Sequence, residues 1–278
     1  MTPSSLRRAA LLAAAAAVSL VPAAVRAQGT PNSANARTAA YNVASQPAAA
    51  TQPPPPVVNG PPREYVILTG GPSLTVWEKY KKAPHDQYWG SFVRASRTRF
   101  QQLQTQNGND PNAVYTWLVF TDGYRTRGQQ DSQDYVSNLH SVRDKYHLNM
   151  VSVSSGAQVV DYLNSGQNRS RLKVVDFEYF GHSNRCCFMF DYSSIVDSSS
   201  KHYMHEDQLG GIGRAVFARN AFIKSWGCHT GESMSKKWYN STGMRMIGAI
   251  GRTDFTNRDE ALNGIIPVLS SADGKWVQ

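Results

Sequence analysis

Between Tyr65 and Ile250 one pattern recurs: a short apolar, partly β-branched run, a glycine-rich or polar break, then a stretch whose apolar residues return every three or four positions. The runs are Tyr65–Thr69, closed by Gly70-Gly71, then Val114–Thr121, Leu148–Val153, Leu172–Phe180, Ala221–Trp226 and Met244–Ile250. Each has strand length and composition. Between the first two, Trp89, Phe92, Val93, Ser96, Phe100 and Leu103 mark one face of an amphipathic helix. Asp131 or Ser132 is placed to cap a second helix with Tyr135, Val136, Leu139, Val142 and Tyr146 on its apolar face. Further helices are predicted over Ala157–Leu163, Glu206–Ala218 and Ser233–Tyr239. Parallel strands need long crossovers, and helices supply them. The fold class predicted is therefore α/β: three layers, with a largely parallel sheet of about six strands flanked by helices. Arg185–Met204 has no clear pattern, and after Gly251 only Gly264–Leu269 suggests a strand.

The preceding residues cannot join that core. Arg7-Arg8 leads into the small apolar run Ala9–Val21, and Val25-Arg26-Ala27 offers small residues where a signal peptidase reads. Residues 1–27 read as a secretory signal, which predicts a secreted or periplasmic protein. The apolar run is short for a bilayer span, so no stable membrane insertion is expected after cleavage. No cysteine precedes Cys186, so a lipid-modified N-terminus of the bacterial lipoprotein type is not expected. Residues 28–62, rich in Ala and Pro and ending in Pro53–Pro56 and Pro61-Pro62, read as a disordered linker. Residues 63–278 then form the folded domain.

Composition narrows the function classes. The 278-residue chain has a formal charge of +9, and four of its arginines lie in the acid-free first 62 residues. The modest excess left on the domain, with no nucleic-acid-binding motif, gives no reason to expect nucleic acid as a partner. Three cysteines cannot staple a chain of this length. Cys186-Cys187 lacks the usual spacing of a metal site, and neither metal nor cofactor is expected. His202 and His205 read as surface residues.

Ligands of open parallel sheets bind beyond the carboxyl ends of the strands. Two polar loops stand there after the most apolar runs: Phe180-Gly181-His182-Ser183 and Trp226-Gly227-Cys228-His229. If the Glu206–Ala218 helix is a single right-handed crossover, the two strands are neighbours and His182 faces Cys228. A thiol attacks as thiolate, and an imidazole can take its proton and return it to a leaving amine. Gly227 permits a sharp turn at the nucleophile. Backbone N–H groups at Cys228 and in the Ser183 loop are candidate oxyanion donors.

A strand ending in Gly-His, followed 46 residues later by a strand ending in a cysteine turn, resembles the caspase-fold cysteine peptidases. Cys228-His229-Thr230-Gly231 is similar to the Cys-His-Ser-Gly of metacaspases and to the Ala-Cys-X-Thr-Gly of CHAT-type peptidases. The resemblance implies a caspase-like cysteine endopeptidase with His182 as general base and acid, Cys228 as nucleophile, and a protein or peptide as substrate. The chain departs from the family at three points. Ser183 replaces the usual glycine after the histidine, Trp226 the acid two positions before the cysteine, and Phe180 the serine two before the histidine. Specificity for Arg or Lys is accordingly not predicted. Phe180 and Trp226 would instead line an apolar substrate site, and Asp122, at the top of the second strand, is a further candidate contact.

The same residues admit other readings. Gly181-His182-Ser183-Asn184-Arg185 partly matches the serine elbow of α/β-hydrolases, with Ser183, Asp207 and His229 in the required order, but Arg185 stands where that elbow needs glycine. His229 is a second candidate base for Cys228. Asp176 and Glu178 alternate on one strand face, either as an acidic wall near His182 or as partners of Arg and Lys. A caspase-like domain that only binds its partner is the third possibility.

Overall fold

The computed structural model describes residues 60–72, 88–108, 110–191, 202–255 and 267–278. The predicted signal and nearly all of the linker lie outside the described residues. Five parallel strands form the central sheet: β1 (Arg63–Thr69), β2 (Ala113–Val119), β3 (Asn149–Ser152), β4 (Lys173–Phe180) and β8 (Phe217–Ser225), in the order β3-β2-β1-β4-β8. Beyond β8, Ile247 makes a single parallel bridge to Lys224, donating to the Ile223 carbonyl and accepting from the Ser225 amide. The sixth run thus touches the sheet edge. Its end, β9 (Gly248–Ile250), pairs antiparallel with β12 (Lys275–Val277) instead.

Alternation along the strands creates two cores. Val66, Leu68, Leu118, Phe177 and Tyr179 face one way, under α4 (Gly156–Ser165) and α5 (Met234–Thr242), which bring Val159, Leu163, Met234 and Trp238. Tyr65, Ile67, Trp117, Val119 and Phe180 face the other way, under α1 (Ser91–Asn107) and α3 (Tyr135–Lys145), with Phe92, Phe100, Leu103 and Leu139. A bulge between Val174 and Asp176 resets the alternation, putting Asp176, Glu178 and Phe180 on the α1 side.

Two predicted helices are corrected. Thr121–Asp131 forms its own helix, α2, and α3 starts later, capped by the Asp134 side chain on the Ser137 amide. Neither Asp131 nor Ser132 is the cap. The sequence hid α2 because its polar residues and Gly123 and Gly128 carry no apolar period. Tertiary contact fixes it, with Tyr124 buried and its hydroxyl on the Gly70 carbonyl. Glu206–Ala218 is not a crossover helix. Only Glu206–Gly211 turns, as a 3-10 segment, and Phe217 already belongs to β8. Gly210, Gly211 and Gly213 weaken helix propagation there. β4 and β8 are nevertheless adjacent and parallel. The unassigned Arg185–Met204 region contributes to a small antiparallel sheet of β5 (His182–Ser183), β6 (Cys187–Met189) and β7 (Tyr203–His205). At the C-terminus β10 (Thr253–Asp254) pairs with β11 (Val268–Leu269). Residues 264–266 of the strand predicted there lie outside the described residues.

A buried ion pair lies at the amino end of the sheet. Glu64 is fully buried and forms an ion pair with Arg169, while its other oxygen accepts the hydroxyls of Thr116 and Tyr162. The Arg169 guanidinium also donates to the Leu163 carbonyl at 2.6 Å and to the Tyr162 carbonyl at 3.2 Å, satisfying the end of α4. Removing one member of such a pair strands a buried charge. Arg169→Ala should therefore lower stability by about 3–5 kcal/mol in urea unfolding, far more than replacement of the half-exposed Arg143.

Candidate functional site

Parallel register brings the two predicted loops off the sheet together. Tyr179 stands opposite Ser225, and the Trp226 amide donates to the Tyr179 carbonyl at 2.9 Å. Immediately beyond, the Ser183 hydroxyl donates to the Cys228 carbonyl at 2.7 Å. Gly227 packs against Ser183 so closely that a Cβ there would overlap the Ser183 hydroxyl and lie 3.1 Å from the Gly181 carbonyl oxygen. Gly227 is needed for this approach rather than for a left-handed turn, since its φ is not positive. Ser183 likewise has no positive φ, so a serine there costs no backbone strain, and its hydroxyl adds the tether to Cys228.

The sulfur of Cys228 sits against Thr253: the Thr253 amide donates to Sγ at 3.3 Å, and Sγ lies 3.5 Å from Thr253 Oγ1 and 3.7 Å from its carbonyl oxygen. His182 is 7% exposed, with the Phe92 ring edge-on at 4.8 Å between centroids. Phe92 meets Phe255 at the same distance, two residues beyond Thr253. One phenyl ring therefore links the surroundings of the imidazole to the strand that holds the thiol. Sequence reasoning missed Phe92 as a site residue, along with Thr253 and Phe255. Phe92 looked like one more position of a helix face, and the tail had no readable pattern.

The remaining candidates fall elsewhere. Phe180 is fully buried and Trp226 is 8% exposed. Their rings stack at 5.8 Å in the core, so the apolar substrate wall expected from them is corrected. Trp226 is held inward because its Nε1–H donates to Glu178 at 2.5 Å. Asp122 lies in the first turn of α2, paired with Arg125 and accepting from the Ser154 hydroxyl, and not in the loop with His182 and Cys228. His229 has φ 62° and its Nδ1 lies 2.6 Å from Glu232, whose carboxyl is held below its ordinary pKa by that hydrogen bond. The serine-hydrolase arrangement does not assemble: Ser183 is buried and bonded to the Cys228 carbonyl, His229 to Glu232, and Asp207 lies beside His205. Cys186, Cys187 and Cys228 are unpaired thiols, and burial beside Cys186 pushes the Cys187 pKa up to about 11. Among the described residues no three His, Cys, Asp or Glu side chains form a metal-binding group, and no helix is long and apolar enough to cross a membrane.

Asp176 and Glu178 are buried partners of Arg99 from α1 rather than an exposed acidic wall. One guanidinium balances one carboxylate. Burial first, and then the neighbouring Glu178, drive the Asp176 pKa far above the usual carboxylate range, so Asp176 keeps its proton at neutral pH. Lys224 completes this face, its ammonium 3.4 Å from the Trp226 ring centroid and 4.0 Å from that of Trp276. Burial lowers its pKa to about 8.

Comparison of the chain with protein-family models, curated proteins and solved structures finds no match.

Two outcomes follow from this geometry. Because the folded pKa of Asp176 exceeds the unfolded one, its contribution to stability is complete below about pH 4 and is lost as pH rises toward the folded value. Asp176→Asn should thus gain stability over the native chain progressively between pH 5 and pH 8, measured by urea unfolding at each pH. Gly227→Ala should force the two loops apart. Hydrogen exchange should then show lost protection at the Asn184 and Trp226 amides, which are bonded beside the two loops, while the α4 amides are unchanged.

Proposed function

We propose that the chain is an exported cysteine endopeptidase of caspase-like architecture, with Cys228 as nucleophile and His182 as general base and acid. The observation that carries this reading is the Ser183–Cys228 hydrogen bond, which couples the histidine loop to the cysteine loop at the carboxyl ends of two adjacent parallel strands. The strand order supports it, as do the largely buried imidazole after one strand and the half-buried thiol on the loop after the neighbouring strand.

In the proposed reaction His182 takes the Cys228 proton and the sulfur attacks the peptide carbonyl carbon. The oxyanion so formed is held by the Cys228 N–H and by a backbone donor of the Ser183 loop. His182 then gives its proton to the amine, the C–N bond breaks, and a thioester remains. Water attacks the thioester with His182 as base, releasing the acid and restoring the thiol. The Thr253 amide, already donating to Sγ, would stabilise the developing thiolate.

Iodoacetamide near neutral pH should alkylate Cys228 faster than Cys186 or Cys187, as read by peptide mass spectrometry. His182→Ala should slow that labelling at least tenfold, and Cys228→Ala should abolish peptide cleavage. Equal labelling of all three cysteines with no peptide cleavage would leave a binding domain, and cleavage surviving Cys228→Ala would remove Cys228 as the nucleophile.

A further inference from the structure

The stretch from Ile247 to Thr253 has a different neighbour on each edge. On one edge it faces β8 and the cysteine loop. The Ser225, Gly231 and His229 amides donate to the Ile247, Ala249 and Gly251 carbonyls at 2.8, 2.9 and 2.7 Å. Alternate residues of a strand turn their main-chain groups to the same edge, so the next group in this series is the Thr253 amide. Its acceptor is Cys228 Sγ, at 3.3 Å. The sulfur thus takes the place of one more carbonyl in a ladder that the backbone has already set.

On the other edge lies the C-terminal segment. Gly248, Ala249 and Ile250 pair antiparallel with Val277, Trp276 and Lys275, and Thr253 and Asp254 pair with Leu269 and Val268. Between these pairings Arg252 is held at both main-chain groups. Its amide donates to Ser271 Oγ at 2.8 Å, and its carbonyl accepts the Ser270 amide at 2.9 Å. The four short strands β9, β10, β11 and β12 therefore make one antiparallel ribbon, with residues 270–274 bulged out opposite Gly251 and Arg252.

The end of this ribbon is fastened to the strand that carries the cysteine. The Trp276 ring meets Trp226 edge-on at 5.4 Å between centroids, and the Lys224 ammonium lies over both rings. Trp226 is itself fixed by Glu178. Val277 packs on Gly231, where a Cβ would come within 2.6 Å of a Val277 methyl. Glycine at 231 lets the C-terminal strand close on the turn that follows Cys228.

We propose that the C-terminal segment, β11 to β12, is the positioning element of the Cys228 thiol, anchored by Trp276 and joined to Thr253 through the Arg252–Ser271 bond. Trp276 and Ser271 act through the Thr253 amide, which stays on the sulfur only while residues 247–253 keep their register. When Cys228 ionises, that amide gives the thiolate a charge-assisted hydrogen bond. The proposal rests on the peptidase reading for its catalytic consequence, but the reactivity of the thiol is measured without peptide turnover.

The native chain and its Trp276→Leu, Trp276→Phe and Ser271→Ala variants are treated with iodoacetamide at pH 7, and the rate at each cysteine is read by peptide mass spectrometry. Peptide cleavage is followed on the same samples. Losing one charge-assisted hydrogen bond lowers the thiolate population about tenfold. The greater nucleophilicity of the more basic sulfur returns part of this, so Cys228 labelling should slow about threefold in Trp276→Leu. It should slow in the same direction in Ser271→Ala, and return to the native rate in Trp276→Phe, which keeps a ring against Trp226. Cys186 and Cys187 should label at native rates throughout. Loosening of the whole fold would instead speed all three cysteines, so slowing confined to Cys228 is a signature that a merely structural role does not give. Ser271→Ala removes a single partly exposed hydroxyl and decides the matter if Trp276→Leu does not fold.

Cys228 labelling that is unchanged or faster in the folded variants would overturn the positioning role, while cleavage by the native chain that is lost in Cys228→Ala would leave the peptidase reading standing. Selective slowing at Cys228 with no peptide cleavage by the native chain would support the positioning role and remove the peptidase reading.

Discussion

Parallel pairing of β4 with β8 is the constraint on which the candidate site depends. Two parallel neighbours leave a sheet in the same direction and at the same level, so whatever follows Phe180 must meet whatever follows Ser225. The loops are then joined by main-chain approach rather than by long side chains: Gly227 against Ser183, and the Ser183 hydroxyl on the Cys228 carbonyl. Cys228 is thus positioned through its main chain, and its side chain takes no part in joining the two loops.

The central strands also carry buried charge, which a doubly covered parallel sheet normally avoids. Glu64 on β1 meets Arg169, and Asp176 with Glu178 on β4 meets Arg99. The two clusters lie on opposite faces, one against α4 and one against α1. Each ties a helix or its terminus to a strand by groups that lose much if the fit is wrong. At the β4 cluster three acidic and basic groups are balanced by retaining a proton on Asp176, and Trp226 is turned inward by the same Glu178. The residue that looked like a substrate wall is thus a positioning element of the strand that carries Cys228.

The legibility of the sequence varied with the range of the forces involved. Strands β1, β2, β4 and helix α1 were readable because burial on a periodic face marks every second residue, or every third and fourth. Helix α2 was not, since its glycines and polar residues carry no period and its stability comes from Tyr124 anchored on Gly70. The segment after Glu206 was misread because acidic residues before an apolar run imitate a helix start, while three glycines favour a short turn instead. Around the site, His182 and Cys228 stood out by residue type and by their places after apolar runs. Thr253, Phe92 and Trp276 did not, because each is brought there by pairing or packing between distant segments.

The sequence by itself determined the layer order of the fold and which residues could perform nucleophilic chemistry, because apolar periodicity and reactive side chains are local properties of the chain. Only the tertiary structure decided which of those residues meet. Adjacency of β4 and β8, the bulge that turns Asp176 and Glu178 toward Arg99, and the ribbon of β9 and β10 with β12 and β11 all depend on hydrogen-bond register between strands. A shift of one residue exchanges the two faces of a strand, and no local pattern of residues encodes which register its neighbour will take.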